Sequence, residues 1–513
     1  MAMDWKAAGA TATACTAQWD SVESPGGGIL VFDDKTVQIS TFGGGANIEF
    51  GVPFSEKTVI RLASVTKHVV ASLAMKLVDA GHLRLDAPLN AYLPQLHGIP
   101  GHVTVRGALD MTGGLADMID TAWMLGVPRT ALLDRRQVLD FLASLDGLNF
   151  PSGSEFSYSN AGYRLVEAAM EAQGIALGVG LREHLFEPLG VSMALPDDYA
   201  DVVPGLAPGY WHGSHGWRHG ISGMPYSGAD GLCVSTEQCV AWLQALLANR
   251  GPAEGLLDRL SSMGTLSNGR ATGVGFGLAH STNSAQHCVG FVGGLPGYRT
   301  AFLLVPSLKV GVLGVANRED ANPAAHVEAV LSSLLGNTAD NVNRSPVALP
   351  DGRFVAAEGP DWLELKAGTA TFLGTTTNLH PTEDGGFDSR AFYAPMTLRL
   401  SGNEIVGEVG HRFRHFRSVA ADASPVAAWA GTWRHPTQNA LFTIDVQDKA
   451  AWITLGSGPT IACHALTPLD ARRAIFERTE GPRQQRVCLC FSDDFRSVLL
   501  ATQRSRILRF DRC

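Results

Sequence analysis

Apolar and polar residues recur with one period in the first two thirds of the chain and with another after residue 336. In the segment Ser64 to Ala80, Val70, Leu73, Ala74, Leu77 and Val78 fall at helical spacing, and Gly81 follows. That spacing predicts a helix with one buried face, closed by a glycine suited to the left-handed cap position. Upstream, the apolar run Ile29–Phe32, the Asp33–Asp34 turn and Thr36–Ser40 predict a β-hairpin. Gly26, Gly27 and Gly28 precede a strand and open no helix, which argues against a phosphate-binding loop. Helical segments with loops fit the chain to about residue 147, then a helix over 164–173 and another closing at Leu185–Gly190. A polar and aromatic hairpin is predicted over 209–221 and a helix over 238–248. Strands are predicted around 275–278, 301–305 and 310–315, and an amphipathic helix over 324–335.

The stretch Gly336 to Pro350 is rich in Asn, Pro and Gly and predicts a linker. Beyond it come short alternating runs separated by turns. A second break at Ala421–Pro425 divides this region into two segments of similar size, beginning around Phe354 and Trp429. Each fits a small antiparallel barrel. The expected class is therefore α+β. A domain of mixed helices and strands over 1–340 precedes β-barrel domains over 346–422 and 426–513.

Composition narrows the function classes. A net charge of −9 and a pI near 6.0 give no reason to expect nucleic acid or anionic membrane as a partner. Residues 426–513 carry 12 Lys/Arg against 8 Asp/Glu, but Arg504, Arg506, Arg509 and Arg512 read as the solvent face of edge strands. No apolar run reaches the length of a membrane span, and Met1 to Ala17 has no signal-peptide core. Eight cysteines scattered without framework spacing suit a reducing cytoplasm, the expected location. Cys488-x-Cys490 reads as strand alternation rather than a metal pair. Trp211, His212, His215, Trp217 and His219 lack accompanying ligand spacing, so no metal is expected. They read instead as a hairpin at the lip of a site, with aromatic faces for an apolar acyl group. A homodimer is compatible with the sequence.

The candidate chemistry begins with Ser64-x-x-Lys67, which puts both side chains on one face, one helical turn apart. A serine hydroxyl is a weak nucleophile until a neighbour takes its proton, which an uncharged amine one turn away can do. Alone the pattern is an ordinary cap serine beside a lysine. Its weight comes from the order Ser64-x-x-Lys67, Tyr158-x-Asn160, Gly293-Gly294-Leu295-Pro296-Gly297, with Asp86–Pro94, Thr112–Leu115 and Gly231–Thr236 between or beside them.

In that order the chain resembles the penicillin-recognising serine hydrolases, which include class C β-lactamases, DD-peptidases and related esterases. The likeness covers nearly all of residues 20–335, and the two trailing β segments resemble the layout of the D-aminopeptidases of this group. The resemblance implies a class C β-lactamase-like catalytic domain, an antiparallel sheet flanked by helices with an all-helical lobe, and a serine hydrolase without a cofactor. Ser64 would form an acyl-enzyme, Lys67 and Tyr158 would carry its proton, and Asn160 would bond Lys67 and substrate. The N–H groups of Ser64 and Gly294 would form an oxyanion hole. A small molecule or short peptide is the implied substrate. A D-aminopeptidase-like cleavage of amides is the first expectation. An esterase or acyltransferase, including peptide cyclisation, is the second, and a non-catalytic ligand-binding homologue the third.

One position departs from the family. Phe291 stands where the third motif carries Lys or His, a cation that meets a substrate carboxylate or supports the tyrosine. His287, four residues earlier, does not fit that spacing. Phe291 counts against β-lactamase and DD-carboxypeptidase activity, and it raises the share of esterases and acyltransferases. A substrate carboxylate is expected to be poorly received, unless Arg299, Glu480 or Arg483 governs the charge there.

Overall fold

The computed structural model describes residues 3–336, 349–420 and 422–513; of the predicted linker, residues 337–348 lie outside the described residues, as does Ala421 of the second break. The first unit is built on a six-stranded antiparallel sheet. Its strands are β1 (Gly27–Asp33), β2 (Val37–Gly43), β3 (Ala279–Asn283), β4 (Gln286–Leu295), β5 (Tyr298–Val305) and β6 (Val310–Ala316), in the order β2-β1-β6-β5-β4-β3. The helices that matter for the site are α1 (Trp5–Ala17), α2 (Thr66–Asp79), α3 (Ala161–Ala172), α4 (Thr236–Ala248) and α5 (Pro323–Leu334). Ala8 and Ala12 of α1 and Val327, Val330 and Leu331 of α5 cover one face of the sheet, against Ile29, Val31 and Val312. The other face meets α2 and the helical lobe.

The predicted start, small and polar, hides α1. Asp4 caps it by accepting from the Ala7 N–H at 2.9 Å, but Gly, Ala and Thr leave only a weak apolar stripe to read. The predicted strand at 275–278 is a turn instead. Gly277 has φ +75°, and a Cβ there would lie 2.5 Å from the His68 nitrogen, so the turn closes against the first turn of α2.

Helix α2 is more buried than its pattern predicts. Every residue from Thr66 to Met75 is buried, not one face alone. Such a helix is a core element, and its polar members need partners inside. His68 finds them: its Nδ1 lies 2.5 Å from the Val65 carbonyl, and Trp242 donates to its Nε2 at 2.9 Å. Burial pushes the imidazole down to about 4, so it is neutral at physiological pH.

The C-terminal region forms two nine-stranded antiparallel sheets with one and the same strand order, each nearly closed into a barrel. In the first, the edge strands are Thr375–Asn378 and His380–Pro381; in the second, Ala462–Ala465 and Thr467–Asp470. In both, the two edges are consecutive in the chain. The run expected to open the second sheet at Trp429 is a 3₁₀ turn, Ala427–Trp429, with the strand following at Gly431–Arg434. Leu469, Ile475 and Ala501 of the second sheet share the core of the first.

The arginines read as solvent-facing divide. Arg509 and Arg512 are exposed, but Arg504 and Arg506 sit in the segment Thr502–Ile507, which inserts into the first unit. Asp117 N–H donates to the Arg504 carbonyl at 2.9 Å, and the Thr121 and Ser505 hydroxyls are 2.7 Å apart. Below them Glu155, 1 % exposed, takes Arg412 and Arg414 at 2.9 Å and Arg506 at 3.3 Å. The carboxylate in the first unit is thus held by cations from both barrels.

Burial opposes the Glu155 charge, yet Arg414 and Arg506 outweigh it and hold the carboxyl below its ordinary value. A depressed folded value gives stability that is complete above the unfolded value of about 4.3 and is lost as pH falls through it toward the folded value. Thermal unfolding of the full chain is expected to show this loss below about pH 4.3, with a smaller slope in Glu155→Gln. At pH 7 that variant is expected to be destabilised by about 3 kcal/mol, because Arg414 keeps its charge in a buried place. An unchanged Tm at pH 7 contradicts the clamp.

Candidate active site

Ser64 lies in a 3₁₀ turn, Ala63–Val65, that leads directly into α2. Ala63 has φ +51°, a left-handed conformation that a residue with a Cβ adopts at a cost of about 1 kcal/mol or more. The surrounding structure enforces it. Thr300 on β5 donates to the Leu62 carbonyl at 2.7 Å, and a Cβ at Gly293 on β4 would lie 2.4 Å from that same oxygen. Only glycine lets the strand pass this close to the serine turn.

Around Ser64 the predicted residues converge. Lys67 Nζ is 3.1 Å from Ser64 Oγ, 2.8 Å from Asn160 Oδ1 and 2.7 Å from the Ala229 carbonyl. Tyr158 O–H is 2.5 Å from the same Oγ. The lysine is wholly buried, beside the faces of Tyr158 at 4.9 Å and Tyr163 at 5.5 Å. Gly294 lies further along β4, facing the cavity that contains Ser64. Phe291 is buried and stacks on Tyr158 at 6.5 Å and against Phe392 of the first barrel at 4.6 Å.

Several residues at the site carry no motif. Asp117, wholly buried, accepts from the backbone N–H and Nδ2 of Asn160 at 2.9 and 2.8 Å through one oxygen. Its other oxygen caps the following helix through Ile119 and Asp120. This fixes the amide of Asn160 with its oxygen toward Lys67. Asp117 escaped the sequence reading; an aspartate directly before Met118 and Ile119 is the signal that marks a cap, and no local signal marks its second duty. The Ala229 loop is held by Gly228 N–H donating to Glu167 at 2.9 Å, itself paired with Arg164 at 2.8 Å. Beside Lys67, Asp230 has one oxygen without a partner, and burial pushes its carboxyl up to about 6 although Lys67 pulls the other way.

The cavity over Ser64 measures about 640 Å³ and is lined by all three units: Arg129 and Asn160 from the first, Phe392 and Tyr393 from the first barrel, Arg483 and Arg504 from the second. The hairpin read as its lip, Tyr210–Gly213 with Gly216–His219, forms but keeps its aromatic faces elsewhere. Arg218 covers Trp211 at 5.5 Å and Arg318 covers Trp217 at 5.0 Å, while Ile221 and Ser222 do reach the cavity. Among the described residues no group of three or more His, Cys, Asp or Glu could hold a metal ion, and no helix is long and apolar enough to cross a membrane. The arrangement brings a hydroxyl, an amine and a phenol within hydrogen-bond reach in a cleft that admits a small ligand.

This fold with this cleft is that of the β-lactamase-like serine hydrolases. The family model described as Beta-lactamase matches residues 12–336, and the chain belongs to that family. D-aminopeptidase of Gluconobacter oxydans (strain 621H) is 28% identical over 316 residues, 61% of this chain and 59% of that protein. D-aminopeptidase of Cereibacter sphaeroides (strain ATCC 17029) is 25% identical over 470 residues, 86% of this chain and 87% of the relative. Among solved structures, the octameric penicillin-binding protein homologue from Pyrococcus abyssi superposes with a TM-score of 0.56 at 16% identity, covering 99% of this chain and all of that one. Its likeness extends the shared fold through both barrels.

Asp117→Asn keeps the volume but leaves one oxygen to serve both the helix cap and Asn160. The expected result is a fall in kcat of about 100-fold through misplacement of Asn160 and Lys67, with KM changed far less. Equal losses in kcat for Asp117→Asn and an exposed control such as Asp140→Asn contradict this role.

Proposed function

We propose that the protein is a serine hydrolase of the D-aminopeptidase kind, cleaving amide bonds of small amino-acid amides or peptides through an acyl-enzyme on Ser64. The observation that carries the reading is the pair of contacts on one oxygen, Lys67 Nζ at 3.1 Å and Tyr158 O–H at 2.5 Å from Ser64 Oγ. Ser64 Oγ attacks the carbonyl carbon, and its proton passes to Lys67, directly or shared with Tyr158. The phenol then delivers its proton to the leaving amine and regains one from Lys67, and water releases the acyl group by the reverse path. The N–H groups of Ser64 and Gly294 receive the oxyanion, and Asn160 orients Lys67 and the substrate amide. The D-aminopeptidases that match this chain over most of their length support the amide as the scissile bond.

A second reading, an esterase or acyltransferase, is favoured by one observation. Phe291 and Phe392 stack beside Tyr158 and give that side of the cleft an apolar wall, which suits an ester's acyl or alkyl group. The domain limits 1–340, 346–422 and 426–513 belong to the same proposal, with the barrels acting as walls of the cleft.

A panel of D- and L-amino-acid p-nitroanilides, p-nitrophenyl esters and nitrocefin separates the readings. The expected outcome is turnover of D-anilides, weaker turnover of L-anilides, and none of nitrocefin. Esters turned over with anilides untouched favour the second reading. Lys67→Ala and Tyr158→Phe are each expected to lower kcat at least about 100-fold. Full activity in Ser64→Ala sinks both readings.

A further inference from the structure

The third-motif strand brings no cation to the cleft, yet four guanidinium groups line it, of which Arg299 is taken by Glu319. Arg129, Arg483 and Arg504 all face the cavity that contains Ser64 and Tyr158. Their partners are few. Arg483 lies 3.6 Å from Glu319, a carboxylate already taken by Arg299, which also lies within the cavity wall. Arg504 lies over the Tyr158 ring at 4.7 Å from its centroid. Arg129 stands 3.6 Å from Asp120, and its Nε is buried without a partner. Among the described residues no hydrogen bond leaves the Arg483 or Arg504 guanidinium for a protein acceptor.

Arg414, which is buried where these are half-buried, is served very differently. Arg414 donates to Glu155 at 2.9 Å and to Asp361 at 2.6 Å, and further donors go to carbonyls. A guanidinium carries five donors in a fork that matches a carboxylate, so several such groups lining one cleft suit an anionic ligand. Burial, with Arg299, Arg129 and Arg504 nearby, pulls Arg483 down to about 10, and Glu319 offsets this only in part. Two carboxylates line the same space. Asp120, which accepts from Thr502 at 3.0 Å and lies 3.6 Å from Arg129, supports the charge of Arg129 and Arg504, and Asp230 lies beside Lys67. Four guanidinium groups thus face two carboxylates across the cavity.

We propose that Arg483 and Arg504, with Arg129 behind them, form an anion subsite that receives a carboxylate of the substrate. The inference rests on the proposed hydrolase and names its substrate class: amides that carry a free carboxylate near the scissile bond. It reverses the expectation drawn from Phe291 alone, because the second barrel brings the charge that the third motif lacks. Two positions on the substrate offer this chemistry, the leaving amino acid and the acyl side chain. Arg504 beside Tyr158 lies toward the leaving amine, whereas Arg483 and Arg299 lie by Gly294, where a Cβ would stand 3.8 and 3.1 Å from their nitrogens.

Binding is measured without turnover, on the full chain carrying Ser64→Ala, by calorimetry with two matched pairs. D-Ala-Gly against D-Ala-glycinamide tests the leaving side, and the p-nitroanilides of D-Glu against D-Gln test the acyl side. The acid of at least one pair is expected to bind about tenfold tighter or more than its amide, and the difference to shrink as NaCl rises from 50 to 500 mM. Adding Arg483→Gln or Arg504→Gln is expected to remove most of that difference, and Arg→Lys at the same position to restore part of it. Amides binding as well as acids in both pairs, or no binding of either member, overturns the proposal. So does an acid preference that survives both substitutions in folded protein. If a Gln variant does not fold, the comparison of acid with amide in the Ser64→Ala chain still decides. Loss of the hydrolase reading appears separately, as undiminished turnover by Ser64→Ala, and leaves these affinities as they are.

Discussion

A lysine amine with no access to bulk water has to be met by oxygen from every side, and Lys67 sets that demand at the centre of this molecule. Asn160 and Ala229 supply two acceptors, the Ser64 hydroxyl lies in the third direction, and each is held by something further out. Asp117 turns the Asn160 amide the right way, Glu167 fixes the loop of Ala229, and the close pass of Gly293 sets the Ser64 turn. An unmet donor at this depth costs on the order of 1–3 kcal/mol, more if charged, so the shell and the lysine select for one another. The same shell leaves Ser64 Oγ as the partner that opens to the cavity.

The barrels belong to this shell rather than to a detachable tail. Asp117, which positions Asn160, donates its own N–H to the Arg504 carbonyl, and Glu155 is satisfied by arginines from both sheets. Phe392 completes the aromatic stack on Phe291 and Tyr158. Phe291 brings no cation to the cleft, and a guanidinium arrives from more than 200 residues downstream, at Arg504. The cleft's charge is set by tertiary packing, not by the motif strand.

The sequence was legible where a local pattern has a local cause. The hairpin of β1 and β2, the helix after Ser64 and the two barrels could be read from spacing, and the convergence of Ser64, Lys67, Tyr158 and Asn160 from the family resemblance that the motif order carries. Helix α1 escaped because Ala, Gly and Thr make little apolar stripe. The turn at Gly277 escaped because what it avoids, the His68 backbone, is distant in sequence. Arg504 and Arg506 were misread for a related reason: alternating arginines near a chain end look like an edge strand, and only the insertion of Thr502–Ile507 reveals carboxylate and aromatic partners. The tryptophans of the 210–219 hairpin look like a ligand platform until their faces are seen covered by Arg218 and Arg318.

The proposed chemistry turns on Ser64 as the one activated hydroxyl, and covalent trapping addresses that directly. The full chain treated with a fluorophosphonate, digested and mapped by mass spectrometry, is predicted to carry the adduct on Ser64 alone, with labelling lost in Lys67→Ala. An adduct on another serine, or labelling of Ser64 at the same rate without Lys67, contradicts the proposed chemistry of the site.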